Sequence, residues 1–91
     1  MAKANADPGE LRRFAQDLNR FNNELGSLMS SLNARLRGLE TVWQDQEQRK
    51  FTEAFDQTVK GLTGFLNDST RHVQFLAKKA SLLEEYLKGR A

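Results

Sequence analysis

The chain has 91 residues, of which 38% are hydrophobic and 29% charged, with a formal net charge of +2. This is the material of one small domain with a modest core, and the charge is too small to single out nucleic acid as a ligand. Cysteine is absent, which excludes disulfides, thiolate zinc sites and thiol nucleophiles, and no run approaches the ~18 apolar residues of a membrane-spanning helix.

Residues 1–7 hold one lysine and no apolar run, unlike a cleaved signal peptide. Asp7-Pro8-Gly9-Glu10 reads as a helix start. Aspartate sits at the N-cap, proline stands where its missing N–H costs nothing, and glutamate follows three residues after the cap. Leu11, Phe14, Leu18, Phe21, Leu25, Leu28 and Leu32 then recur at alternating spacings of three and four, the pattern of a coiled-coil seam. One step of four after four carries the seam through Leu36 and Leu39 to Trp43, a stutter that relaxes supercoiling. Glu10, Asp17 and Glu24 flank it in heptad register, where charge guides pairing. A first helix is expected over about 8–42 and a turn at about 43–45.

Asp45-Gln46-Glu47-Gln48 forms a second capping box, with Asp45 as the cap and Gln48 able to reach back. The helix it opens is expected over about 46–88, ended by Lys88 and Gly89. Its apolar stripe runs Phe55, Val59, Leu62, Leu66, Ser69, Val73, Leu76, Ala80, Leu83 and Leu87. Ser69, the clearly polar member, is either a small packing residue or a register device. Helices of these lengths span about 50 and 65 Å at 1.5 Å per residue. They point to a bundle or coiled coil.

A hairpin of two such helices consumes one seam from each. Phe51, Phe65 and Tyr86 lie on one flank of the second stripe and Ala54, Phe75 and Leu82 on the other, while Ala15 and Met29 adjoin the first seam. Each large apolar side chain left in water forgoes ~1.5–3 kcal/mol of burial. The fold class expected is therefore all-α: one domain over residues 1–91, an antiparallel helix-turn-helix hairpin that pairs into a four-helix bundle dimer. Hairpin and dimer contacts are assigned to Leu18, Phe21, Leu25, Leu28, Leu32, Phe55, Val59, Leu62, Phe65, Leu66, Val73, Leu76 and Leu83. A monomer with a wide, partly wet apolar face is the simpler alternative. Gly26, Gly61 and Gly64 fall near one level, which suggests a close-approach waist where helices or protomers cross, against drift on exposed faces.

Two long helices with a tryptophan at the bend resemble the WXG-type proteins, the early secretory antigenic target-like substrates of type VII secretion systems. The most specific piece is Val42-Trp43-Gln44-Asp45 followed by Phe51 and Phe55, at mid-chain. The resemblance implies an antiparallel dimer, with itself or with a sister helical-hairpin chain. It further implies export without a cleaved signal peptide from a cytoplasmic pool, and a role as secretion substrate, co-export partner or adaptor, with a secretion ATPase as a further partner. Two positions depart from the family pattern. Asp45 replaces the family glycine, which aspartate can do by adopting the left-handed region or by capping. The family's export pattern places an acid four residues after a tyrosine, and here Tyr86 is followed by Arg90. The candidate export-signal region is Leu83, Tyr86 and Leu87.

Trp43 is either an anchor for a partner or a cap on the hairpin end. Tyr86 is either part of a recognition segment or a rim residue of the bundle. His72, the one histidine, has only Asp68 a turn away, too few ligands for a metal. No nucleophile-base order or phosphate loop stands out, so no catalytic, cofactor or metal residue is assigned and no enzyme is expected. Nucleic acid binding and stable membrane insertion are not expected either. The competing reading is an intracellular coiled-coil adaptor or chaperone-like subunit that is not exported.

Overall fold

A computed structural model describes residues 6–89. Those residues form two helices and no strand: α1, Pro8–Leu39, and α2, Gln46–Gly89. They fold back on one another as an extended hairpin measuring 69 × 17 × 15 Å.

Both helix starts follow from their caps, though each capping box closes differently from the sequence pattern. Asp7 accepts a hydrogen bond from the Gly9 amide at 2.9 Å, and Glu10 turns outward to pair with Arg13 instead of reaching back. Asp45 accepts from the Gln48 amide at 2.9 Å. The Gln48 side chain is drawn across the bend, where Nε2 donates to Glu40 at 3.2 Å and to Thr52 at 2.8 Å.

The first helix stops at Leu39, three residues short of the expected 42. The Thr41 and Val42 amides bond to the Gly38 and Leu39 carbonyls at 3.2 and 3.0 Å. The Thr41 hydroxyl adds a bond to the Gly38 carbonyl at 2.7 Å. These i→i+3 bonds tighten the chain and satisfy carbonyls that further helix would otherwise take. No described residue has positive φ, so Asp45 stands in for glycine by capping and not through a left-handed backbone. Gly89 is still helical, and Arg90 lies outside the described residues.

On α2 the stripe from Phe55 to Leu83 is half-buried or buried along its whole length and faces α1. On α1 the contact face is rotated by about one position from the expected seam. Leu11, Ala15, Leu18, Asn22, Leu25, Met29 and Leu36 are half-buried or buried, while Phe14, Phe21, Leu28, Leu32 and Leu39 are exposed. Small residues explain the shift. Ala15, Ser69 and Ala80 are almost completely covered, so the helices approach closely along them and larger side chains move to the flank.

The register is fixed at mid-hairpin, where the Ser69 hydroxyl donates to Asn22 Oδ1 at 2.8 Å inside the interface. From that level the helices run in opposite directions, so Arg12 reaches Ser81 and Glu84, and Arg37 lies 3.8 Å from Asp56. The three mid-helix glycines do not create a close approach within the hairpin. A Cβ built on Gly26, Gly61 or Gly64 meets nothing within 4 Å.

Candidate functional site

The bend is built from both sides of the turn. Residues 40–45 form the non-helical connection, with Trp43, Gln44 and Asp45 as its second half. Asp45 starts α2 while Trp43, half-buried, packs its ring 6.0 Å from that of Phe51. Phe51 in turn stacks on Phe55 at 5.8 Å, so three rings climb from the bend along α2. Beside this ladder an apolar groove of about 200 Å³ is lined by Leu32, Leu36, Leu39, Phe51 and Phe55, with Arg35 at its edge. The tryptophan thus covers the hairpin end and leaves apolar surface beside it open.

On the other side of the bend the surface is polar. Glu40 accepts hydrogen bonds from Arg37 at 3.1 Å, Gln48 at 3.2 Å and Thr52 at 3.4 Å. This cluster ties the last turn of α1 to the first turns of α2. Removing the cap by Asp45→Ala is expected to cost ~1 kcal/mol of hairpin stability, read as a lower midpoint in urea unfolding followed by circular dichroism.

The same two-sidedness runs the full length of the hairpin. One broad face carries the charged crossings Arg12–Glu84 and Arg37–Asp56. The opposite face carries Phe14, Phe21, Leu28, Leu32 and Leu39 from α1, all of them exposed. Phe65 of α2 joins this face directly, its ring edge-to-face with Phe21 at 6.3 Å. Helical spacing of 100° per residue places Gly61, Gly64, Phe75, Leu82 and Tyr86 on the same side of α2 as Phe65, so Phe75 and Leu82 do not lie on the opposite flank that the sequence pattern suggested. Phe75 and Leu28 are each 66% exposed, values that mark side chains without a protein neighbour on their outer side. A continuous apolar face of this length is unusual on an isolated small protein.

The residues assigned to contacts therefore divide into two sets. Leu18, Leu25, Phe55, Val59, Leu62, Leu66, Val73, Leu76 and Leu83 are half-buried along the helix–helix seam. Phe21, Leu28, Leu32 and Phe65 stand on the open face. In the candidate export-signal region, Leu83 packs toward α1 while Tyr86 and Leu87 are exposed. Just before them Arg12 grips α2 with two bonds to Glu84, at 2.7 and 3.3 Å, and one to Ser81 at 3.1 Å. The hydrogen bonds that Arg12 donates to Glu84, and then the charge of that carboxylate, hold the Arg12 guanidinium above its ordinary pKa. Glu10 acts on Arg13 in the same way.

Two elements escaped the sequence pattern. Arg12–Glu84 joins residues 72 apart, and nothing local announces it. Asn22 could have been found, since it stands seven residues after Ala15 and seven before Met29, in a heptad one position behind Phe14, Phe21 and Leu28. Asp68 pairs with Arg71 and not with His72. Among the described residues no three His, Asp or Glu side chains gather as a metal site, and no helix is long and apolar enough to cross a membrane.

An all-helical hairpin with a tryptophan at its bend and one open apolar face defines a small helical protein whose surface, not a pocket, is its distinctive feature. The chain belongs to the WXG100 family, described as proteins of 100 residues with WXG, whose family profile it matches over residues 3–86. The family comprises small helical proteins, similar to the early secretory antigenic target, that are associated with type VII secretion and are not known as enzymes. Its members generally form helical dimers. No curated protein and no solved structure matches the chain.

Proposed function

We propose that this chain is a non-enzymatic substrate or co-export adaptor of a type VII-like secretion system, acting as a folded four-helix bundle. The observation that carries this reading is the apolar face from Phe14 to Leu39 and from Phe65 to Tyr86, which a second helical hairpin would cover. Burial of several large side chains at ~1.5–3 kcal/mol each supplies the drive for pairing. Trp43, Gln44 and Asp45 at the bend, and Leu83, Tyr86 and Leu87 near the end of α2, are the proposed contact elements for the export machinery, including its ATPase. Export takes place from a cytoplasmic pool, without a cleaved signal peptide.

Two measurements test the reading. Light scattering on gel-filtered protein across a dilution series is expected to give twice the mass of the 10.4 kDa chain. A monomer would shift the partner to a sister hairpin. In a producing strain, the protein is expected in the culture medium and retained in cells when the secretion ATPase is inactivated. Retention in both strains would favour the non-exported adaptor, a reading supported by Arg90 standing where the family pattern has an acid.

A further inference from the structure

At the outer edge of the apolar face, α2 carries a second exposed row. Arg71, Phe75, Lys78 and Leu82 follow one another at spacings of four, three and four, the spacing of a coiled-coil seam. Phe75 is 66% exposed and Leu82 56%, and both bases are exposed as well. The row is not part of the hairpin seam, which at this level uses Val73, Leu76, Ala80 and Leu83. Nor does it lie at the centre of the apolar face. Ten and seventeen residues at 100° each carry Phe75 and Leu82 about 80° and about 100° round α2 from Phe65. A hairpin seated over Phe21 and Phe65 therefore leaves the outer side of the row open.

The row is also electrostatically unbalanced. Between Asp68 and Glu84 the chain has no acid, but it has Arg71, His72, Lys78 and Lys79. Arg71 is paired with Asp68 on the same helix, a contact between two exposed side chains that solvent screens and a partner can displace. Lys78 and Lys79 make no ion pair among the described residues. The facing end of α1 supplies no counter-charge, since Arg12, Arg13 and Arg20 outnumber Glu10 and Asp17 there.

We propose that this row is a docking strip for an acidic amphipathic helix of another protein, one that presents carboxylates and large apolar residues in turn along a single seam. Bases alone would suit any anion, and apolar side chains alone any hydrophobic partner. Their alternation at heptad spacing asks for both in register. Phe75 and Leu82 pack between the partner's apolar residues, Arg71 and Lys78 meet its carboxylates, and Lys79 flanks the seam. A lipid surface fits less well. Helices that lie on membranes keep apolar and basic residues on separate faces, whereas burial of Phe75 and Leu82 here carries Arg71 and Lys78 in with them. A second copy fits less well too, because the end of α1 that bears Glu10 and Asp17 is itself net basic. The strip covers eleven residues, about 16 Å, which matches about three turns of a partner helix.

The test uses the full chain and a labelled helical peptide of about three heptads whose seam alternates leucine and glutamate, followed by fluorescence anisotropy. Saturable binding that weakens as salt is raised is expected, and a peptide with lysine in place of glutamate is expected not to bind. Phe75→Ala is expected to weaken binding about 10- to 100-fold with helicity and mass unchanged. Lys78→Glu combined with Lys79→Glu should abolish binding of the glutamate peptide and confer binding of the lysine peptide, an exchange that a folding defect cannot produce. Phe21→Asp should leave peptide binding unaltered. Absence of binding by the glutamate peptide would overturn the proposal. So would tighter binding to phosphatidylglycerol vesicles or to polyuridylate than to the peptide. Binding lost with Phe21→Asp but insensitive to Phe75→Ala would place the peptide on the pairing face and overturn it. A lowered mass for Phe75→Ala would assign the row to contacts between copies, with the same consequence.

Discussion

Replacing Phe21 and Phe65 together by aspartate is expected to separate the paired hairpins, with a dissociation constant raised about 1,000-fold or more. Both rings are about half exposed and touch each other across the open face. Within one hairpin their loss removes the covered half of each ring and an edge-to-face contact worth ~0.5–1.5 kcal/mol beyond area burial. Within a bundle each aspartate would have to be desolvated or would force water into the interface, so the penalty falls on assembly. Sedimentation or light scattering should report a monomer at concentrations where the parent chain is paired, while the far-ultraviolet circular dichroism spectrum stays helical. The variant should also melt at lower temperature, because pairing adds stability by mass action. Unchanged mass across the dilution series would show that association uses another surface.

The second large effect concerns the buried polar pair. Ser69→Ala is expected to destabilise the hairpin by ~1–3 kcal/mol, because it strands the Asn22 carbonyl oxygen in a dry interface. Asn22 Nδ2 is already buried without a hydrogen-bond partner, so the single change would leave both ends of the amide unsatisfied. Adding Asn22→Ala removes the whole amide and raises helix propensity. The double variant is therefore expected to recover most or all of the loss. Urea titrations of the four members of this cycle give the coupling directly. The double variant should keep its stability and lose definition, with exchange-broadened amide resonances near mid-hairpin as the helices sample shifted registers. A coupling energy indistinguishable from zero would mean that the register is set elsewhere.

The contrast between the two helices explains how far the sequence could be read. On α2 the largest apolar residues and the closest-packing ones share one stripe, from Phe55 through Ser69 and Ala80 to Leu83, so periodicity found the inner face. On α1 they are separated. Phe14, Phe21 and Leu28 form the more hydrophobic row, but Ala15, Asn22 and Met29 one position on meet α2. Hydrophobicity ranks the first row higher, whereas close helix approach rewards small side chains, and the geometry follows the second rule. The surplus of apolar surface was countable before its location was. The bend was legible in Trp43 and Asp45, because capping chemistry is local. The Glu40 cluster and the Arg12–Glu84 crossing were not legible, since each depends on a register that only the folded pair defines. The three residues between Leu39 and the expected helix end were lost for a similar reason: Thr41 can serve either as a helical residue or as a donor that turns the chain, and the bend selects the second role.

The overlap of the helices also has a mechanical meaning. Counting from the Asn22–Ser69 bond, Pro8 stands level with Leu83, so α2 runs on for about 9 Å past the start of α1. That overhang is a handle at the end of the rod where the first turn of α1 also lies. Tension applied to the handle peels the helices apart one level at a time, and the Arg12–Glu84 grip resists that opening near its start. Tension applied at the bend and at the opposite end would instead have to slide the whole seam at once. The molecule is therefore soft to traction from its carboxyl side and stiff along its axis.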